Sequence, residues 1–115
     1  MNEAINAGAA ETKVLSGNYA AAWGARLSQV EVVSFYPITP ATDIMEFLAE
    51  SLPKIGGSVI QAEDEISAIG MVLGASYGGK RAMTSTSGPG ISLMVEMLGL
   101  GSMAELPAVI VDALL

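Results

Sequence analysis

An α/β fold is predicted for this chain: one open, mainly parallel sheet with helices on both faces. Three observations predict it. Short β-rich runs alternate with longer stretches of helical composition about four times before a last β-rich run. The 115 residues are 51% hydrophobic and include 13 glycines, which fits one compact domain with its own core. No internal repeat, low-complexity tract or linker divides the chain, so a single domain is expected from residue 13 to residue 115, behind a flexible leader over residues 1–12.

The elements follow in order. KVLSG is expected as a first strand and NYAAAWGARLSQ as a helix, then EVVSFY as a strand followed by the helix TPATDIMEFLAES. Between these two, Pro37 ends the strand ladder because it has no N–H, and Thr39 before Pro40 suits a helix N-cap with proline at the first helical position. SVIQA is the next strand, and EDEISAIGMVLGASYGG a helix whose acids Glu63, Asp64 and Glu65 suit its positive end. Gly78 and Gly79 are expected to stop that helix. RAMTSTS is a strand, GPGISLMVEMLGLGSMAE a helix in which Gly99 and Gly101 allow close packing, and PAVIVDALL a last, buried strand. Crossovers between parallel strands are right-handed. A chain seldom ends on a core strand with a bare edge, so a longer polypeptide is expected.

Composition excludes several kinds of chemistry. Twelve carboxylates against 5 basic residues give a formal net charge of −7, with no basic stripe to follow a phosphate backbone, so nucleic acid is not an expected partner. With no cysteine and no histidine, this chain has no thiolate or imidazole metal site, no disulfide and no Cys/His or Ser/His nucleophilic pair. Its apolar runs are interrupted by Glu96, Glu105 and Asp112, so no membrane span is expected, and the N-terminal stretch has no signal-peptide pattern. A cytoplasmic setting follows as the default.

In a sheet of this kind ligands bind beyond the carboxyl ends of the strands. The loops to weigh are therefore Gly17-Asn18, YPITPAT, AEDE and TSGPG. Two phosphate-loop look-alikes do not compete with them. GASYGGK ends a helix and has Arg81 where magnesium needs a hydroxyl, while GLGSMA runs from helix to strand, the reverse of a dinucleotide fingerprint. Glu65 stands out among the acids, because the residues after it are nearly all apolar or small and its helix turn is poorly hydrated. Thr84, Ser85, Thr86 and Ser87 add hydroxyls before Gly88-Pro89-Gly90, a turn small enough for close approach of a ligand or a backbone. The Met-rich run ISLMVEMLGLGSM reads as core or interface.

These motifs together carry a resemblance. EDEISAIGMVLGASYGGKRAMTSTSGPG resembles the pyrimidine-binding domain of thiamine-diphosphate enzymes. With YPITP before it and MAELPAVIVD after it, the chain is similar to the α subunit of 2-oxoacid:ferredoxin (acceptor) oxidoreductases over roughly residues 14 to 112. The resemblance implies oxidative decarboxylation of a 2-oxoacid to its acyl-CoA. It places Glu65 against N1′ of the aminopyrimidine, where a carboxylate delivering a proton activates the thiazolium C2 position. It places Thr39 near the carboxylate of the 2-oxoacid, and Ser87, Gly88, Pro89 and Gly90 beside the pyrimidine pocket. The TSGPG form leans toward substrates of the 2-oxoglutarate or branched-chain type.

The departures from the family pattern are informative. Gly17-Asn18-Tyr19-Ala20 stands where GNEA is common, and the arginine-containing QRGGPSTG stretch is replaced by ALL. The GDG…N pattern that anchors the diphosphate through magnesium is missing, so the resemblance implies half a site, completed by a β subunit holding diphosphate and Mg2+. It further implies iron–sulfur clusters on other subunits only, a hetero-oligomer, coenzyme A as co-substrate and ferredoxin or a similar acceptor. This fragment alone is then expected to be inactive. Two other classes remain: an acetolactate-synthase-like thiamine enzyme, against which YPITP argues, and a non-catalytic assembly module.

Overall fold

A computed structural model describes residues 12–114 of the chain. Four strands form one all-parallel sheet: β1 (Val32–Phe35), β2 (Ser58–Gln61), β3 (Ala82–Thr86) and β4 (Val109–Asp112), in the spatial order β2-β1-β3-β4. Parallel neighbours cannot be joined by a tight turn, so each connection carries a helix. These are α2 (Thr42–Ser51) with a 3-10 turn at Pro53–Ile55, then α3 (Glu65–Tyr77), then the pair α4 (Gly90–Leu93) and α5 (Val95–Met103). A further helix, α1 (Gly17–Leu27), precedes β1.

Side chains alternate between faces along a strand, and two separate cores result. On one face Val33, Phe35 and Met83 pack with Ala22 of α1 and Ile44, Met45 and Leu48 of α2. On the other, Val32, Ala82 and Ile110 meet Ile69, Val72 and Leu73 of α3, with Met94 between α4 and α5. Helices therefore cover both faces, as expected. Among the described residues no helix is long and apolar enough to cross a membrane.

α1 is capped by Ser16, whose Oγ accepts from the Tyr19 N–H at 3.2 Å, a cap that the strand reading of KVLSG did not foresee. Two local expectations are met. Gly78 and Gly79 end α3, and Gly79 has the left-handed φ of +86° that a β-carbon disfavours. Gly101 lets α5 approach α3, since a β-carbon there would lie 3.0 Å from Leu73 Cδ2. Gly99, by contrast, faces open space and serves no such approach.

Other expectations are corrected. KVLSG forms no strand: it belongs to no sheet among the described residues, Val14 is fully exposed, and Ser16 is used as the cap of α1. The leader expected over residues 1–12 lies, apart from Thr12, outside the described residues. β4 is a strand but not a buried one, because among the described residues it pairs only with β3, and Val109 is 59% exposed. The long helix from residue 88 breaks at Met94, which is fully buried and whose N–H bonds Ile91 O in a tightened turn. Thr39 is not an N-cap. A turn closed by Ala41 N–H donating to Ile38 O at 2.8 Å, with a cis Thr39–Pro40 peptide, lies between β1 and α2 and moves the cap to Ala41.

At the amino edge of the sheet, Glu31 ties two strand entries together. Its carboxylate accepts from the Arg81 N–H at 3.1 Å and pairs with Lys80 Nζ at 3.4 Å. The Arg81 N–H, and then Lys80, hold its pKa below the ordinary 4.5. A carboxyl lowered in this way contributes stability above its unfolded pKa and loses it as pH falls through the folded value. The tie is thus expected to be complete at neutral pH and to weaken as pH drops below 4.5. An NMR titration of Glu31 should report a midpoint below that of a model peptide, and Glu31→Gln should remove this acid-range contribution.

Candidate active site at the carboxyl edge

Because all four strands are parallel, their carboxyl ends share one edge. The chain steps from β1 to β2 in one direction and then returns past β1 to β3 on the other side. In sheets of this kind such a reversal marks the usual ligand site, here beyond the carboxyl ends of β1 and β3. Residues 36–41 leave β1 here, residues 87–89 leave β3 here, and α3 begins here after β2. Asn18, in the first turn of α1, donates from Nδ2 to Pro40 O at 2.6 Å and ties that helix to the same edge. The four loops singled out by the sequence therefore meet on one side of the sheet.

The three acids before α3 separate by role. Asp64 has extended backbone (φ −161°, ψ 176°) and caps α3, its Oδ1 accepting from Ser67 N–H at 2.7 Å. Glu63 and Asp64 are exposed, while Glu65, the first residue of the helix, is only 9% exposed. Its carboxylate is thus held at the positive end of α3 over an apolar helix face.

The turn after β3 closes against this carboxylate. Gly88 has φ +53°, a left-handed conformation that glycine adopts without strain. Gly90 is buried, and a β-carbon built on it would collide with Thr86 Oγ1 and lie 3.3 Å from both Cγ and Oε2 of Glu65. Ser87 is buried beside it, whereas Gly88 and Pro89 are exposed. Glu65, Thr86 and Gly90 are therefore brought together in one cluster. Thr39 reaches the same edge and is exposed, but no hydrogen bond joins it to that cluster. Cavities of about 490 and 710 Å3 open elsewhere, both lined by Val30, Gly79 and Arg81 near the amino end of β3.

Thr86 was missed as a site residue in the sequence, where it counted only as one hydroxyl in a run. Its signals were a threonine on a period-two strand and a glycine four residues later. Neither reveals a close approach until the turn is folded.

The fold and this edge define a doubly wound α/β domain whose candidate site combines one buried acid with a glycine-hydroxyl turn. The chain belongs to the family of pyruvate flavodoxin/ferredoxin oxidoreductase thiamine-diphosphate-binding domains, whose model matches residues 23–114. It is 51% identical over 102 residues to the 2-oxoglutarate synthase subunit KorA of Methanocaldococcus jannaschii, covering 89% of this chain and 28% of that protein. It is 45% identical over 103 residues to the ketoisovalerate oxidoreductase subunit VorB of Methanothermobacter thermautotrophicus, covering 90% of this chain and 29% of that one. Among solved structures it matches the 2-oxoglutarate:ferredoxin oxidoreductase of Magnetococcus marinus, which has 2-oxoglutarate, coenzyme A and succinyl-CoA bound. That match has a TM-score of 0.85 and 53% identity, over 87% of this chain and 18% of that chain. The chain thus spans less than a third of the length of these relatives.

The residues present fit the cofactor of the family. An aminopyrimidine needs a carboxylate in a poorly hydrated place, and Glu65 is such a group, buried at the strand edge against a turn that approaches it this closely only because Gly90 has no side chain. The buried Thr86 Oγ1 has no hydrogen-bond partner among the described residues, so the cluster retains polar capacity.

Proposed function

We propose that this chain is the pyrimidine-binding part of the α subunit of a 2-oxoacid:ferredoxin oxidoreductase. The enzyme converts a 2-oxoacid and coenzyme A to the acyl-CoA and CO2 and passes the electrons to a ferredoxin-type acceptor. The observation that carries this reading is Glu65, buried at the start of α3 against the Gly90 turn at the carboxyl edge. Thiamine diphosphate, when bound, supplies the carbon nucleophile and electron sink of the decarboxylation.

This chain's residues then have distinct tasks. Glu65 holds and delivers a proton at N1′ of the aminopyrimidine. The Ser87-Gly88-Pro89-Gly90 turn packs against the ring and excludes water. Thr39, exposed after β1, orients the carboxylate of the 2-oxoacid with its hydroxyl. This stretch has no GDG…N anchor and no cysteine, so it holds neither the diphosphate with its Mg2+ nor the iron–sulfur clusters; the reading assigns the former to a partner β subunit and the latter to other subunits. Such a hetero-oligomer works in the cytoplasm.

The substrate class is 2-oxoglutarate first and branched-chain 2-oxoacids second. Relatives named for 2-oxoglutarate are 47% to 51% identical, and those named for ketoisovalerate 44% to 47%. The test is CoA-dependent reduction of an acceptor dye by the complete complex, with each 2-oxoacid in turn. A higher kcat/KM for 2-oxoglutarate than for 3-methyl-2-oxobutanoate is expected. A complex that binds thiamine diphosphate but oxidises no 2-oxoacid would sink the reading and leave the assembly-module alternative.

A further inference from the structure

We propose that Thr86 is a positioning residue of the candidate site: its buried hydroxyl, unpartnered among the described residues, engages the Glu65 carboxylate when a pyrimidine is bound and sets the direction in which that carboxylate faces the ring. The proposal rests on the function proposed above and adds a residue to it.

Three observations carry it. Thr86 is fully buried, and its Oγ1 has no hydrogen-bond partner among the described residues. A buried hydroxyl without a partner is costly, and valine has the same shape without that cost. Next, the three heavy atoms nearest to the empty β-carbon position of Gly90 are Thr86 Oγ1, Glu65 Cγ and Glu65 Oε2. The hydroxyl and the carboxylate therefore close on the same point, one that a β-carbon could not share with Oγ1. Finally, the alternation of β3 places Ala82, and with it Thr84 and Thr86, on the face covered by α3. Thr86 is the last of these, at the carboxyl edge where α3 begins with Glu65.

Burial also decides how Thr86 acts. Its Oγ1 is shielded from solvent, so a ligand on the edge meets Glu65 and not Thr86. A carboxylate has two oxygens, and engaging one with a ring nitrogen leaves the other to be fixed from within. Thr86 is the buried donor placed to do so. A fixed carboxylate loses less freedom on binding and presents its proton in one direction.

The experiment uses the complete enzyme with its partner subunit and compares Thr86→Val, Thr86→Ser, Thr84→Val and Glu65→Gln. Thr84 is the control, since it is equally buried and unpartnered but lies roughly 7 Å deeper along the same strand face. Three quantities are read: the thermal midpoint of the cofactor-free enzyme, the Kd for thiamine diphosphate by calorimetry, and exchange of the thiazolium C2 proton across pH. Thr86→Val is expected to leave the cofactor-free midpoint unchanged or raised. It should also weaken cofactor binding and slow exchange by about tenfold each, the scale of one hydrogen bond to a charged group. Thr86→Ser should restore both, and Thr84→Val should match wild type throughout. Wild-type Kd and exchange in Thr86→Val, beside impaired Glu65→Gln, would overturn the role of Thr86 and leave that of Glu65 standing. Equal losses in Thr86→Val and Thr84→Val would reduce both to packing and overturn the proposal. Normal binding and exchange in Glu65→Gln would instead remove the function on which the proposal rests.

Discussion

Replacing Glu65 by glutamine in the complete enzyme is expected to slow exchange of the thiazolium C2 proton by about 10²–10⁴-fold, the range that general acid–base catalysis supplies. Glutamine keeps the shape of the side chain and its place at the start of α3, so the packing of this side chain against Gly90 is undisturbed. What it lacks is an exchangeable carboxyl proton. Glu63→Gln serves as the comparison, because Glu63 is exposed and one residue before the cap. It should change the rate far less. Exchange at the wild-type rate in Glu65→Gln, with cofactor still bound, would take Glu65 out of the mechanism and leave it as a residue of the helix start.

Ile69→Ala should lower the stability of the subunit by about 2–5 kcal/mol, the cost of removing a buried aliphatic side chain and leaving a cavity. Ile69 is fully buried and lies one turn after Glu65 on the same side of α3. It packs in the cluster of Val72, Leu73, Ala82 and Met94, which seats α3 on the sheet. Ile69→Val removes a single methylene and should cost only about 0.5–1.5 kcal/mol. Denaturant midpoints at constant m measure both. If the two variants proved equally mild, α3 would not be held by this core, and the placement of Glu65 would need another cause.

The legible part of the site was the part set by short-range rules. A proline that cannot donate, an acid at a helix start followed by small and apolar residues, and a glycine turn before a helix each act over a few residues. Pro37 follows a strand that ends at Phe35, Asp64 caps α3, and Glu65 alone of the three acids is buried. The family resemblance rested on those same stretches, and the matched family agrees with it.

What escaped the sequence depended on neighbours. The composition of KVLSG suits a strand, but a strand exists only beside a partner, and among the described residues no strand pairs with it. PAVIVDALL has the apolar content of a buried strand, yet among the described residues β4 lies at the edge with one neighbour and stays largely accessible. Thr39 has the chemistry of a cap, but the turn closed between Ile38 and Ala41 hands that position to Ala41.

The sequence by itself therefore determined the strand-helix alternation, the turns that end each strand and the acid that opens α3, because caps, turns and periodicity are local. Only the tertiary structure decided the order β2-β1-β3-β4, the strand pair at which it reverses, and the meeting of Thr86, Gly90 and Glu65. Strand order and close approach are settled by packing between residues distant in the chain, where burial, excluded volume and available partners act together.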